Sequence, residues 1–519
     1  MAKDNLKSKS PVKTAGRWRR IRQAVQVLAL LLFLYLLVGT RQESSTFLPH
    51  DLFFRLDPLV GISAMVAGRE WLGSLALGGV TLLLAFVVGR AWCGWICPLG
   101  TILDWTPARR PRRNRLDIPS YWRQVKHLVL FTILLGAILG SMTLLVLEPI
   151  TMLFRTIASV FLPAFNVIVT TAETWLYNVK LLQPPLEWFD SLVRGWLLTE
   201  QPFFWPNLAV ASVLVGVLAL NAVRPRFWCR YLCPLGALLG LVSRIACVRP
   251  SLDEARCTAC QRCALLCPTG AISPNSKFAV SPAECTLCLD CIAACPTEAI
   301  SFQGQLGLAA RQHHDPSRRQ FFASIGAAVA GALVLRIAPV LRRASPSLIR
   351  PPGTSEEQLL SGCIRCGECI KVCPTGGLQP SLSAAGWEGL WTPTLIPRLG
   401  YCDYSCNSCG RVCPTGVIPN LSLSEKRQKV LGVASIDQKR CIPWADGLDC
   451  IVCEEMCPIP QKAIQLEEQM VTNSHGETTT VLRPTVIQDL CIGCGICEQQ
   501  CPLDGEAAIR VYPVGNINL

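Results

Sequence analysis

Six cysteine runs hold most of the residues in this chain that could perform chemistry. Of the 29 cysteines among 519 residues, 24 fall into runs of four that each end in Cys-Pro. Thiolates at this spacing can bind the irons of a 4Fe–4S cluster, and zinc sites do not require it. The runs are Cys257, Cys260, Cys263 and Cys267; Cys285, Cys288, Cys291 and Cys295; Cys363, Cys366, Cys369 and Cys373; Cys402, Cys406, Cys409 and Cys413; Cys441, Cys450, Cys453 and Cys457; and Cys491, Cys494, Cys497 and Cys501. The spacing therefore predicts six 4Fe–4S clusters.

The first two runs have the pattern of a bacterial two-cluster ferredoxin. In that pattern the fourth cysteine of each run ligates the cluster of the other run. We therefore expect Cys295 to complete the set begun by the first run, and Cys267 to complete the set begun by the second.

The last four runs leave their pairing open. The first and fourth of them are regular, whereas the second has a three-residue first gap and the third an eight-residue gap. This symmetry favours a nested pairing, with sequential pairing as the alternative. Nested pairing places Cys501 with Cys363, Cys366 and Cys369; Cys373 with Cys491, Cys494 and Cys497; Cys457 with Cys402, Cys406 and Cys409; and Cys413 with Cys441, Cys450 and Cys453.

A different cysteine motif occurs twice in the first half of the chain. Trp-Cys-x3-Cys-Pro-Leu-Gly appears with Cys93 and Cys97, and again with Cys229 and Cys233. The i, i+4 spacing puts both thiols of a copy on one helix face. Two copies in one orientation predict a pseudo-two-fold axis along the membrane normal. We expect the four thiols to share an iron–sulfur cluster or another metal at the cytoplasmic edge of the membrane, with two pairs of inert buried thiols as the alternative.

An acid–proline pair precedes each copy of this motif. Asp57-Pro58 and Glu148-Pro149 fit a helix start, because the acid can cap the helix and proline suits its first position. Acids near a membrane are also candidate proton acceptors for a quinol. The cap is the favoured interpretation, and the two roles are compatible.

Composition and charge indicate a membrane protein. Half of the residues are apolar, only 16% are charged, and the mean hydropathy is +0.36. The net charge of +13 is concentrated in the N-terminal tail and in residues 109–115, which indicates membrane topology rather than nucleic-acid binding. The five histidines and the lack of Cys-x-x-Cys-His exclude c-type haem, and no histidine pair is placed for b-type haem.

The elements that must position these sites are apolar spans and small ferredoxin-like modules. Spans are predicted at Val25–Val38, Trp71–Val88, Val125–Leu147 and Leu208–Val223. Residues 148–206 are expected to form surface-lying or re-entrant helices, with a hidden span as the alternative. The predicted fold is multi-domain: a polytopic α-helical membrane domain of four spans with a fifth anchor span, and α+β bacterial ferredoxin-like modules on both sides.

The predicted domains follow from these spans and runs. They are a four-span membrane domain at 1–245, a cytoplasmic two-cluster module at 246–310, a motif and fifth span at 311–345, and a periplasmic four-cluster module at 346–519. Ser317-Arg318-Arg319-Gln320-Phe321-Phe322 matches the twin-arginine export signal. Export of an already folded domain would let clusters form inside before they face an oxidising compartment.

Nearly the whole chain resembles a fusion of two subunits of the Nap-type quinol dehydrogenase, which belong to the polyferredoxin family. Residues 20–300 resemble the membrane H subunit, and residues 315–519 resemble the G subunit with its four motifs. The resemblance implies oxidation of a membrane quinol and delivery of electrons to a periplasmic c-type cytochrome or reductase. It also implies the prokaryotic cytoplasmic membrane, with the N-terminus cytoplasmic and the last module periplasmic.

The sequence is also compatible with two other functions. The chain could conduct electrons across the membrane from a cytoplasmic donor, since the two-cluster module at 246–310 offers an entry port for electrons. It could also be a redox-sensing or maturation protein, although six clusters exceed what a sensor needs.

Overall fold

The structure, a computed structural model, describes residues 11–40, 48–106, 119–193, 202–272, 278, 280–304, 322, 326, 329, 348–382, 384–472 and 478–514. Its α-helices in the first half of the chain are α1 Pro11–Gly39, α2 Leu52–Arg55, α3 Pro58–Gly68, α4 Gly78–Val88, α5 Ala91–Trp95, α6 Pro98–Trp105, α7 Val125–Ile138, α8 Pro149–Thr156, α9 Leu162–Leu176, α10 Gln183–Val193, α11 Leu208–Val223, α12 Phe227–Tyr231 and α13 Pro234–Val242. Later helices are short: α14 Arg262–Leu266, α15 Asp290–Ala294, α16 Glu356–Gly362, α17 Glu368–Val372, α18 Ser408–Arg411, α19 Leu423–Arg427, α20 Ile442–Ala445, α21 Val452–Glu455 and α22 Ile496–Gln500.

Apart from α1, four helices of the membrane half (residues 1–245) begin at a proline, and their first residues approach one another. They are α3, α6, α8 and α13, and the residues that precede them are Asp57, Cys97, Glu148 and Cys233. Asp57 Oδ1 accepts hydrogen bonds from the backbone N–H of Leu59 and Val60, at 2.8 and 3.1 Å. Glu148 accepts in the same way from the two N–H groups that follow its proline. The predicted capping role of both acids is therefore confirmed.

The segment after Glu148 differs from the expected surface-lying or re-entrant helices. Residues Pro149–Leu176 form one helix of 28 residues, which is long and apolar enough to cross a membrane. A π-helical turn at Ile157–Phe161 joins α8 to α9. Pro163 cannot donate to the carbonyl of Ser159, and Asn207 Nδ2 donates to that carbonyl instead, at 3.0 Å. The proline is thus accommodated without ending the helix, which is why its presence misled the sequence-based prediction.

Two of the predicted spans are shorter than expected. Among the described residues, the helices long and apolar enough to cross a membrane are Arg17–Gly39, Pro149–Leu176 and Trp205–Val223. The predicted span Trp71–Val88 is the shorter apolar helix Gly73–Val88. The predicted span Val125–Leu147 is interrupted after Ile138, because Gly140 adopts φ +76° and Ser141 N–H bonds back to Gly136 at 2.8 Å.

We call the two-cluster module at 246–310, which follows the membrane half, the inner module, and the four-cluster module at 346–519 the outer module. Strands β1 Val248–Leu252 and β2 Ile300–Gly304 pair antiparallel, with Val248 opposite Gly304. Ala271, Ile272, Val280 and Ile300 form its small buried core together with cysteines of the first two runs.

The outer module has three two-stranded antiparallel sheets within the described residues. They pair β3 Leu378–Pro380 with β4 Pro393–Leu395, β5 Val433–Ile436 with β8 Ile509–Tyr512, and β6 Ile464–Thr472 with β7 Thr478–Val486. Its core combines Ile349, Leu378, Leu395, Val433 and Ile509 with cysteines of all four runs.

The two modules lie at opposite ends of α1. Near its start, Arg19 Nε is 3.4 Å from Asp290 Oδ1 of the inner module. Near its end, the carbonyl oxygens of Leu37 and Val38 accept hydrogen bonds from Lys371 Nζ of the outer module. A rise of 1.5 Å per residue separates these contacts by about 27 Å, close to the thickness of an apolar bilayer core.

Candidate iron–sulfur sites and the path between them

The inner module brings its cysteines together in two sets. Cys263 lies near Cys260 and Cys295, and Cys291 lies near Cys285, Cys288 and Cys267. We call Cys257, Cys260, Cys263 and Cys295 set 1, and Cys285, Cys288, Cys291 and Cys267 set 2. This arrangement is the one that cross-ligation requires.

In each regular run, the second and fourth residues after the first cysteine have a positive φ. In set 1, Ala259 and Gln261 have φ of 51° and 61°, and in set 2, Leu287 and Leu289 have 52° and 66°. The first and last outer runs repeat it at Arg365 and Gly367, and at Gly493 and Gly495. Alternation of right- and left-handed residues forms a concave nest of N–H groups, which suits an anionic iron–sulfur cluster. The glycines at 367, 493 and 495 are the sequence signal for this conformation.

The first two outer runs exchange their fourth cysteines with each other, so the nested pairing is wrong. Cys413, and not the predicted Cys501, lies beside Cys363, Cys366 and Cys369. Cys373, and not the predicted Cys457, lies beside Cys402, Cys406 and Cys409. The short helices of these two runs, α17 and α18, face each other. We call the first of these groups set 3 and the second set 4.

Within set 4, the irregular first gap changes the surroundings of one thiol. Cys406, which follows the three-residue gap, lies 3.5 Å from the Ser408 hydroxyl oxygen, and it is partly exposed. It remains a neighbour of Cys409 together with Cys402 and Cys373. The predicted role of Cys406 as a ligand beside Cys402 and Cys409 therefore stays a prediction, and only its predicted fourth partner, Cys457, is wrong.

The last two outer runs also pair with each other. Cys457, and not the predicted Cys373, lies near Cys494, and Cys501, and not the predicted Cys413, lies near Cys441. Their short helices α21 and α22 face each other. We call Cys491, Cys494, Cys497 and Cys457 set 5, and Cys441, Cys450, Cys453 and Cys501 set 6. The pairing of the outer module is thus sequential, the alternative that the sequence left open.

Irregular spacing misled the pairing because it reflects local insertions. The long gap of the third run is filled by α20, whose Trp444 donates its indole N–H to the Pro484 carbonyl at 3.1 Å. The length of this gap therefore reflects packing against β7, and not the run with which Cys457 or Cys441 is paired.

Cys93, Cys97, Cys229 and Cys233 also come together, and we call them the central tetrad. All four are buried, and Cys233 has the other three as close electrostatic neighbours. Cys233 Sγ accepts a hydrogen bond from Gly236 N–H at 3.2 Å, at the start of α13. The starts of α6 and α13 both point at this site, and the positive end of a helix favours thiolates.

Two buried arginines flank the central tetrad, and the sequence analysis missed them. Arg90 and Arg226 each stand three residues before the first cysteine of a repeat copy. Arg226 donates to the Cys93 carbonyl at 2.9 Å and pairs with Asp104 at 2.7 Å. The repeat at fixed spacing was the available signal. Their charges would offset that of a cluster held by four thiolates.

Set 2 lies directly against the central tetrad. Gly94, between the two cysteines of the first copy, approaches Thr286 so closely that a Cβ would overlap the Thr286 carbonyl oxygen. Trp95 Nε1 donates to the Leu287 carbonyl at 3.1 Å. Only glycine allows this approach of the two cysteine-bearing loops.

A buried ion cluster fixes the same interface. Glu284 Oε1 is 2.5 Å from Lys126 Nζ, and its Oε2 is 3.4 Å from Arg90 and 3.6 Å from Arg123. Burial alone would raise the pKa of Glu284, but the three cations outweigh burial and lower it to about 2. This carboxylate stands next to Cys285 and joins the inner module to the membrane half.

Set 3 lies against the opposite end of the membrane half. Arg155 of α8, fully buried, donates to the Arg365 carbonyl at 2.8 Å and lies 4.2 Å from the ring centre of Trp391. Arg365 in turn donates to the Met142 carbonyl at 2.6 Å. His50 Nε2 is 3.3 Å from Glu368 Oε2. These contacts hold the loop of set 3 against the membrane half.

The two capping acids lie between the central tetrad and set 3. Asp57 and Glu148 are fully buried neighbours. Glu148 is close to Cys97 on one side and to Arg155 on the other. Asp57 Oδ2 meets no N–H or O–H donor in the described part of the chain.

Contacts between sets define one order along the outer module. Cys369 of set 3 lies near Cys409 of set 4, and Cys402 N–H of set 4 donates to the Cys494 carbonyl of set 5 at 2.8 Å. Cys497 of set 5 lies near Cys453 of set 6. The order away from the membrane half is therefore set 3, set 4, set 5 and set 6.

The thiol geometry fits clusters better than single ions. Among the described residues, no three His, Cys, Asp or Glu side chains are close enough to hold one metal ion. A cubane spreads its four ligands over four irons, so its thiolates stand further apart than those around one zinc. Cysteine sulfurs also accept backbone N–H groups, as Cys267 does from Ala271 at 3.1 Å and Cys295 from Ala299 at 3.3 Å.

Some predicted features lie outside the described residues. They are the twin-arginine pair Arg318 and Arg319, the fifth span, and the basic segment 109–115.

Comparison with known families finds 4Fe–4S domains over most of the cysteine runs and over both repeat copies. A family described as a 4Fe-4S binding domain matches residues 71–115 and 206–249, which contain the two repeat copies. Families described as 4Fe-4S dicluster domains match 361–419 and 277–374, and a further 4Fe-4S binding domain matches 250–273 and 484–504. The match to 361–419 covers the runs that form sets 3 and 4.

Curated relatives are ferredoxin-type proteins. The methylamine utilization ferredoxin-type protein MauM of Paracoccus denitrificans is 39% identical over 206 residues, covering 38% of this chain and 84% of the relative. The ferredoxin-type protein NapG of Escherichia coli is 34% identical over 207 residues, covering 38% and 86%. MauN of Methylorubrum extorquens is 27% identical over 264 residues, covering 49% and 75%. No solved structure matches.

These relatives confirm the predicted resemblance to the G subunit and the prediction of an iron–sulfur electron-transfer protein. Because more than two thirds of MauM and of NapG is covered above 30% identity, the chain belongs to the family of ferredoxin-type iron–sulfur proteins that includes MauM and NapG.

Proposed function

We propose that this protein carries electrons across the prokaryotic cytoplasmic membrane through a chain of clusters. Sets 1 to 6 would each hold a 4Fe–4S cluster, and the central tetrad would hold a further one. When bound, these clusters accept and release single electrons. The carrying observation is that α1 contacts the inner module at one end and the outer module at the other, while Gln26 between these ends donates to the Gly94 carbonyl beside the central tetrad.

The protein's own residues would position the clusters and limit water around them. Gly94 and Trp95 hold set 2 against the central tetrad, and Arg155 and Arg365 hold set 3 against the other end. Arg90 and Arg226 would favour an anionic cluster between them. The route runs from sets 1 and 2 through the central tetrad to sets 3, 4, 5 and 6.

This topology predicts opposite sides for the two ends of the chain. Alkaline phosphatase fused after Leu519 should be active, because that enzyme folds only in an oxidising compartment. A fluorescent protein fused before Met1 should fluoresce on the cytoplasmic side. Fusions at both ends reporting one compartment would contradict the proposal.

Quinol oxidation is a second candidate function, supported by the acid pair. Oxidation of a quinol releases two electrons, which the clusters would take one at a time, and two protons. Asp57 with Glu148 would accept the first proton between the central tetrad and set 3, and the second would pass to water. A cleft lined by Ser63, Gly136, Thr143 and Trp387 lies between α3, α7 and the outer module. It encloses about 30 Å³, the room of one water, so a quinol ring would require it to open.

Quinol titration of variants separates the two candidates. If quinol is the donor, a soluble menaquinol analogue reduces the clusters of the native protein, and Asp57→Asn with Glu148→Gln slows this reduction about 100-fold or more, as for loss of general base catalysis. Serine at Cys257 and Cys285 should leave this reaction intact. If a cytoplasmic donor is used, the same serine variants block reduction by ferredoxin, and no quinol reduces any cluster.

A further inference from the structure

The eight-residue gap in the third outer run has no role in the path described so far. Regular runs leave two residues between their first cysteines, whereas Cys441 and Cys450 enclose the additional segment Ile442–Asp449. Trp444 anchors this segment by its hydrogen bond to Pro484 and by Arg483, which lies 4.6 Å from the ring centre. The segment is therefore held in place rather than loosely attached.

Apolar side chains are exposed beside set 6. Leu448, Ile451 and Met456 are 62%, 43% and 37% exposed, and each lies within three residues of Cys450 or Cys453. Cys450, Cys453 and Cys501 are themselves partly exposed. Because set 6 is the last in the order from the membrane, an electron would leave the chain here. Apolar side chains around an exit point mark an interaction surface.

The charges around this surface restrict the partner. Asp446, Asp449 and Glu455 are exposed around the three apolar residues, and Glu454 is paired with Lys462 at 3.7 Å. Residues 437–510 contain 12 Asp or Glu and five Lys or Arg, although the whole chain has a net charge of +13. Set 4 is also partly exposed, but the charged residues near it include the basic residues Arg411, Lys426 and Arg427. The acidic environment thus belongs to the exit end of the path.

We propose that Leu448, Ile451 and Met456, ringed by Asp446, Asp449 and Glu455, form the docking surface for a small electron-carrier protein with basic residues around its exposed cofactor. The surface meets the requirements of such a partner: an apolar centre, an acidic rim and a cluster edge beneath it. One electron passes from the reduced set 6 cluster to the oxidised carrier, and no proton or bond is exchanged. This inference rests on the proposed function, because it assumes that set 6 is the exit.

The test uses the full-length protein in detergent, with its clusters reduced chemically by dithionite and the excess removed. Stopped-flow mixing with a basic cytochrome c measures the second-order rate of haem reduction. We expect this rate to fall about tenfold between low and physiological ionic strength, as for steered association. Asp446→Lys with Glu455→Lys should lower the low-salt rate about tenfold and remove most of the salt dependence.

The matched control is Glu357→Lys, which reverses an equally exposed acid on α16 at the membrane end of the outer module. It should leave the rate unchanged, and equal iron content will show that all variants are intact. Leu448→Gln should lower the rate without altering the salt dependence. Equal rates for native protein and the double variant, or the same loss in Glu357→Lys, would overturn the proposal.

An experiment that rejects the docking surface can be distinguished from one that rejects electron transfer across the membrane. Dithionite loads the outer clusters directly, so docking is measured even if no electron crosses the membrane. Salt-dependent reduction of cytochrome c without transmembrane electron transfer would support the docking surface and reject the proposed transfer of electrons across the membrane.

Discussion

Cys93→Ser combined with Cys229→Ser is expected to remove about four of about 28 iron atoms per chain, four for each cubane. Electron transfer from the inner sets to the outer sets should then fall below detection. The reason is that the central tetrad is the only thiol set in the described part of the chain between set 2 and set 3. Iron analysis and time-resolved reduction of the outer clusters by an inner donor measure both effects.

Cys247→Ser is the matched control for this variant. Cys247 belongs to the same half of the protein, but it lies outside all seven sets. It should retain the native iron content and the native rate. Native iron content and native transfer in the double variant would show that the central tetrad holds no cluster on the path.

Glu284→Gln should release the inner module from the membrane half. The substitution leaves Lys126, Arg90 and Arg123 buried without their shared carboxylate, at a cost of about 3–5 kcal/mol. Glu254→Gln, at an exposed acid of the same module, should cost almost nothing. Thermal loss of the visible cluster absorbance in detergent, compared between the two variants, measures the difference.

The low pKa of Glu284 also gives this interface a pH dependence. Its folded-state pKa of about 2 lies below the ordinary value of 4.5, so its stabilisation is complete above about pH 4.5. The stabilisation, roughly 3 kcal/mol for this shift, is lost as the pH falls from about 4.5 towards about 2. The Glu284→Gln variant should lack this part of the acid sensitivity, and an unchanged acid profile would contradict the assignment.

The sequence correctly predicted the features that depend on residues a few positions apart or on the internal repeat. The thiol neighbours of sets 1 and 2 follow from short cysteine spacing, and the caps formed by Asp57 and Glu148 follow from the prolines behind them. The central tetrad followed from the repeat, because two copies of one motif in one orientation bring like residues together. In each case the determining contacts are a few residues apart or related by internal symmetry.

The sequence could not predict what depends on distant partners. Pro163 looked like a helix breaker because Asn207, which satisfies the freed carbonyl, lies 44 positions later. No sequence pattern marks Glu284 as buried, because its partners Lys126, Arg123 and Arg90 lie at least 158 positions earlier in the chain. The outer pairing was mispredicted because the eight-residue gap of the third run records packing of α20 against β7, and not ligand exchange.

The most direct measurement of the central claim uses sealed vesicles containing the purified protein. Oxidised cytochrome c is enclosed inside, and a reductant that cannot cross the bilayer is added outside. In vesicles where the outer module faces the lumen, we expect the enclosed haem to be reduced, and Cys93→Ser with Cys229→Ser to stop this. Enclosed haem that stays oxidised, while the clusters on each face can be reduced separately, would contradict the account.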